Sequence, residues 1–83
     1  MINDPIIRLD LHGMRQDEAL KAIDRTLAAV GPAVYRVELI HGFHRGTSLQ
    51  SMILDRCRYD GRVRRIIPGE NRGITVLVLK ELY

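Results

Sequence analysis

Asp10 and His12 lie two residues apart in Ile-Ile-Arg-Leu-Asp-Leu-His (6–12), a segment whose apolar residues fall on alternate positions. At strand spacing, residues i and i+2 project from one face. A carboxylate so placed can orient an imidazole, fix its tautomer and favour the imidazolium, which suits general acid–base chemistry. The plainer role for such a pair is to bridge a strand end to the next helix. A second group of residues sits in His41-Gly42-Phe43-His44-Arg45-Gly46. Its glycines let the backbone turn and expose N–H groups, and a helix N-terminus beside such amides is a phosphate cradle. Arg45 adds a charge-assisted contact. Phe43, the one phenylalanine of the chain, offers a face on which a base could stack, or a side chain that folds back onto the core.

Other chemistries fit less well. The loop lacks the Gly-Lys-Thr/Ser ending of a Walker motif and the three-glycine spacing of a dinucleotide fingerprint. Asp10 and His12 resemble part of a metal site, but no second carboxylate lies at a suitable spacing. A divalent cation such as magnesium would have to be shared between Asp10 and phosphate oxygens. No serine has an evident histidine and acid partner. Cys57 is the single cysteine, which excludes an internal disulfide and a cysteine-rich zinc centre. It falls on an apolar helical stripe, where a thiol is core rather than catalyst.

The elements that position these residues follow from periodicity. In 6–12, Ile7, Leu9 and Leu11 face one way and Arg8, Asp10 and His12 the other, with Gly13 ending the strand. A helix is expected from Gln16 to Val30. Asp17 and Glu18 complement its dipole, Leu20, Ile23, Leu27 and Val30 recur at three- and four-residue spacing, and Gly31-Pro32 stops it with a C′ glycine. Residues 34–41 form a second strand closed by Gly42. Thr47-Ser48-Leu49-Gln50 reads as a capping box for a helix to Tyr59, with Leu49, Met52, Ile53 and Cys57 buried. Residues 63–67 and 74–80 form two more strands around the turn-rich loop 68–73. The fold class is α/β: a two-layer sandwich of order β-α-β-α-β-β, with a four-stranded mixed sheet and two helices, in one domain over residues 1–83. All three histidines then sit at or just past the carboxyl ends of the first two strands, where α/β sheets bind ligands.

Charge supports a polyanionic partner. The chain carries 13 Lys+Arg against 10 Asp+Glu, and eleven of the cations are arginine, the side chain better suited to bidentate phosphate contact. Residues 1–35 hold four cations and five anions, whereas residues 36–83 hold nine and five. Within the run Arg62-Val63-Arg64-Arg65, Arg62 and Arg64 share a face of the expected strand and Arg65 opposes them. They serve there either as charges that protect a strand edge or as contacts to a nucleic-acid backbone. No apolar run approaches the ~20 residues of a membrane span. The N-terminus has no basic region followed by an apolar one, so a cytoplasmic protein without membrane association is expected.

Leu9-Asp10-Leu11-His12-Gly13, followed by a helix and by Ile40-His41-Gly42 opening a glycine-containing loop, resembles the Smr (small MutS-related) domain over nearly the whole chain. Gly73-Ile74-Thr75-Val76 is similar to that family's final strand. The resemblance implies a stand-alone Smr protein with a fold like the C-terminal domain of a bacterial translation initiation factor. It also implies nucleic-acid binding, with endonuclease or nicking activity on RNA or structured, branched DNA, and association with ribosomes in some relatives. The family's catalytic Asp and His map onto Asp10 and His12, and its His-Gly-x-Gly motif maps onto His41 and Gly42. The second glycine of that motif is His44 here, and glycine returns only at Gly46. The catalytic candidates are thus Asp10, His12 and His41, and the nucleic-acid-binding candidates Gly42, Phe43, His44, Arg45 and Gly46. A non-catalytic nucleic-acid or ribosome-binding module, or a protein–protein adaptor built on a sheet edge, are the other classes open to the sequence.

Overall fold

A computed structural model describes residues 3–42 and 48–81. The elements are β1 (Ile6–Asp10), α1 (Gln16–Ala29), β2 (Arg36–Ile40), α2 (Ser48–Cys57), β3 (Arg65–Pro68) and β4 (Ile74–Val78). The sheet runs β1-β2-β4-β3. β1 and β2 are parallel, as a strand–helix–strand crossover requires. β4 is antiparallel to both β2 and β3, so the sheet is mixed. The expected β-α-β-α-β-β sandwich is therefore the observed architecture.

The alternation of β1 survives in three dimensions. Leu11 is fully buried, Ile7 and Leu9 are partly buried, and Arg8, Asp10 and His12 are exposed. In register, Ile7 and Leu9 lie beside Val37 and Leu39, which lie beside Leu77 and Thr75 of β4. That face meets Ala19, Ile23 and Leu27 of α1 and Ile53 and Cys57 of α2 in one core. Burying a side chain of this size contributes roughly 1.5–3 kcal/mol, so the paired faces of sheet and helices hold the molecule together.

Local departures from the sequence expectation fall at element ends. β1 stops at Asp10 because the Asp10 carboxylate accepts the His12 backbone N–H at 3.1 Å, turning the chain out of the strand. α1 ends without a left-handed glycine. Val30 leaves the helix extended (φ −70°, ψ 139°), and among the described residues only Gly13 and Gly42 have positive φ. β3 begins at Arg65 rather than residue 63, because Asp60 organises a turn in which it accepts the Arg62 N–H and donor groups of the Arg62 side chain. Arg62 is consequently not on a strand face beside Arg64. Its guanidinium joins Asp60 to Asp24 of α1, at 2.8 Å to each carboxylate. The capping residue Thr47 lies outside the described residues.

Candidate active site

Parallel pairing brings the carboxyl ends of β1 and β2 together, and the antiparallel return places the start of β4 beside them. The Leu11 N–H donates to the Ile40 carbonyl at 2.7 Å, extending the ladder one residue past β1. The N–H groups of His41 and Gly42 both donate to the Gly73 carbonyl, at 2.9 and 3.0 Å. Residues far apart in sequence thus share one end of the sheet.

On the solvent side of that end lies the Asp10–His12 pair. Asp10 Oδ1 is 2.5 Å from His12 Nδ1, and the two side chains remain 59% and 69% exposed. A carboxylate can only accept, so Nδ1 carries the proton and Nε2 is left to exchange one. Among the described residues His12 Nε2 has no hydrogen-bond partner. The hydrogen bond from the His12 ring, reinforced by the one from its backbone, holds the Asp10 carboxyl below its ordinary value. The Asp10 carboxylate therefore keeps its hold on the ring to lower pH than an unpaired carboxylate would.

His41 is placed differently. It is 5% exposed and both ring nitrogens are engaged within the fold. Nδ1–H donates to the Gly42 carbonyl at 2.8 Å, and in the neutral ring Nε2 accepts from the Thr75 hydroxyl, also at 2.8 Å. The imidazole thereby clamps Gly42, which has φ +74°. A β-carbon built at residue 42 would stand 3.6 Å from the His12 β-carbon. The buried histidine, the glycine and the exposed pair form one contiguous unit.

The loop between β3 and β4 closes the same end. The Asn71 side chain accepts the Gly73 N–H at 2.8 Å, and the Asn71 carbonyl accepts the Ile74 N–H at 3.2 Å. This Asx turn aims the Gly73 carbonyl at His41 and Gly42.

The model of the Smr domain family matches residues 9–80. The chain belongs to the Smr domain family. The Smr domain of Thermus thermophilus MutS2, solved by crystallography, is 27% identical, with a TM-score of 0.79 over 90% of this chain and 99% of the other. A comparison with curated proteins found no match.

Of the residues that sequence reasoning selected in this Smr chain, the structure brings Asp10, His12 and Gly42 together and sets His41 beneath them. Phe43, His44, Arg45 and Gly46 lie outside the described residues. Thr75, Gly73 and Asn71 were missed. Thr75 is the one hydroxyl in the apolar run Ile74–Leu79, and a buried hydroxyl must find a partner; that was the available signal. Cys57 is buried and its thiol is pushed up to about 11, mainly by burial, as befits a core cysteine. Among the described residues no three His, Cys, Asp or Glu side chains converge as a metal site.

Proposed function

We propose that this Smr domain cleaves nucleic acid, with His12 as the proton-transferring group and Asp10 as the residue that orients it. The observation that carries this is the exposed, singly oriented imidazole: Nδ1 held 2.5 Å from the Asp10 carboxylate, with no second partner on the ring among the described residues. A positioned histidine in hydrogen-bond reach of a reacting proton contributes about 10²–10⁴-fold in rate.

On RNA, the chemistry requires no protein nucleophile. His12 Nε2 takes the proton of a ribose 2′-hydroxyl, and the 2′ oxygen bonds to the adjacent phosphorus. The bond from phosphorus to the 5′ oxygen then breaks, and that oxygen leaves with a proton supplied by His44. The products are a 2′,3′-cyclic phosphate and a 5′-hydroxyl. On structured DNA, which has no 2′-hydroxyl, the same base deprotonates water. His41 is a positioning residue in this scheme, since both its nitrogens are occupied. Gly42 to Gly46 supply backbone N–H groups and Arg45 a charge to the phosphate, and Phe43 stacks on a base.

End-labelled RNA and branched DNA, incubated with the protein in magnesium or in EDTA, test the proposal. RNA fragments ending in cyclic phosphate, formed in either medium, support it. Binding without scission on both substrates would replace it with a non-catalytic nucleic-acid-binding module.

A further inference from the structure

A groove of 290 Å³ lies between the C-terminal part of α2 and β3, with Cys57, Val63 and Ile66 as an apolar floor and Arg58, Arg64 and Arg65 around it. The Asp60 turn shapes this rim: it holds Arg62 against Asp24 and Asp60 and lets the chain deliver Arg64 and Arg65 to the groove. Arg65 pairs with Glu81 at 2.9 Å, whereas Arg58 and Arg64 have no ion-pair partner among the described residues. Both are nevertheless steadied. Arg58 Nε–H donates to the Leu54 carbonyl at 3.3 Å, and the Arg64 backbone N–H donates to the Val78 carbonyl at 2.8 Å.

A wider depression of 770 Å³ shares Leu54 and Arg58 with this groove and continues toward the other end of α2. Gln16 and Ser48, the first residues of α1 and α2, line it, as do Ser51 and Arg56; Asp55 is its one carboxylate. Gln16 follows the His12 turn by four residues and opens α1, so the depression reaches the helix end that follows β1. The ten residues of α2 separate the two ends by roughly 15 Å. Guanidinium forks match phosphate oxygens and are weakly hydrated, and an apolar floor keeps their long stems in place.

We propose that Arg58 and Arg64 form a second phosphate-binding site, which grips the backbone of a nucleic-acid strand lying along α2 from the Asp10–His12 pair. This inference rests on the nucleic-acid reading of that pair. The site sets where along a strand the reacting phosphate falls, because it fixes the strand one helix length away.

The test is binding of a fluorescein-labelled single-stranded RNA, followed by anisotropy across a salt series. Arg58→Gln/Arg64→Gln keeps the aliphatic stems over the groove and removes both charges; circular dichroism verifies its fold. Losing two phosphate contacts should reduce the slope of log K against log salt by about 1.4 in magnitude. Arg58→Lys/Arg64→Lys should restore the slope, and Arg25→Ala, on the exposed side of α1, should leave it unchanged. An unchanged slope in the double glutamine variant, or an equal loss in Arg25→Ala, would overturn the second site while leaving the Asp10–His12 reading intact. If the native protein does not bind RNA at all, the nucleic-acid reading falls first and the second site with it.

Discussion

Gly42 lies against His12: a β-carbon at residue 42 would be 3.6 Å from that of the histidine, an ordinary van der Waals contact. Space is therefore not what demands glycine there. The backbone demands it, with φ +74°, a conformation that costs an L side chain about 1–2 kcal/mol.

Gly42→Ala should consequently destabilise the fold by about 1–2 kcal/mol and lower Tm by roughly 4–8 °C per kcal/mol. Gly13, with φ +77° and open space around it, supplies the comparison. Gly13→Ala should cost similar stability. Only Gly42→Ala should also change the His41 ring signals in an NMR spectrum, because the carbonyl of residue 42 accepts the His41 Nδ1–H.

Thr75→Val should uncouple that clamp. The substitution preserves shape but removes the hydroxyl that serves His41 Nε2 at 2.8 Å. A buried ring nitrogen left without a partner costs about 1–3 kcal/mol. Chemical denaturation should report this loss, Thr75→Ser should recover most of it, and ¹⁵N spectra should show the His41 Nε2 resonance shift as its hydrogen bond is lost, with Nδ1 still protonated against the Gly42 carbonyl.

How much of this was legible in the sequence follows from which contacts are local. Asp10 and His12 could be paired from strand periodicity alone, since both lie on one segment and face one way. The buried stripe of α1 was legible through Ile23 and Leu27, while Ala19 carries too little apolar signal to announce that it is fully buried. His41 was readable as a site histidine but not as a buried one. Its engagement depends on β4 pairing with β2 in the register that sets Thr75 beside Leu39, a tertiary fact that no spacing within residues 34–46 encodes. Arg62 misled for a different reason: the local Asp60 turn takes it off the strand it resembled, and its guanidinium then also meets Asp24 of α1.

Gly69→Ala should damage the site from a distance. A β-carbon there would lie 2.5 Å from Ile74 Cγ2 and 2.9 Å from the Ile74 carbonyl oxygen. The backbone carbonyl cannot swing aside, because it accepts the Gly69 N–H at 3.0 Å. Overpacking of this kind costs about 1–3 kcal/mol. The strain falls on the loop that carries the Gly73 carbonyl, so amide exchange at His41 and Gly42 should accelerate along with the drop in Tm.

The Asp10 carboxyl should titrate below its ordinary 3.8, because the His12 ring and backbone both hydrogen-bond to its ionised form. A depressed folded-state pKa contributes stability that is present above the unfolded value and lost as pH falls through the folded one. The stability advantage of the native protein over Asp10→Asn should therefore hold at neutral pH and fade only below the normal carboxylate range. ¹³C NMR of the carboxyl, with denaturation at stepped pH, checks both halves.

Cleavage of end-labelled RNA by Asp10→Ala, His12→Ala and the double variant, beside the native protein, bears most directly on the catalytic role of the pair. Each single substitution should slow scission by about 10²–10⁴-fold with RNA affinity and fold retained. The double variant should lose little more than His12→Ala, since Asp10 acts through the ring. Native cleavage rates in the folded double variant would contradict the assignment of His12 as the proton-transferring group.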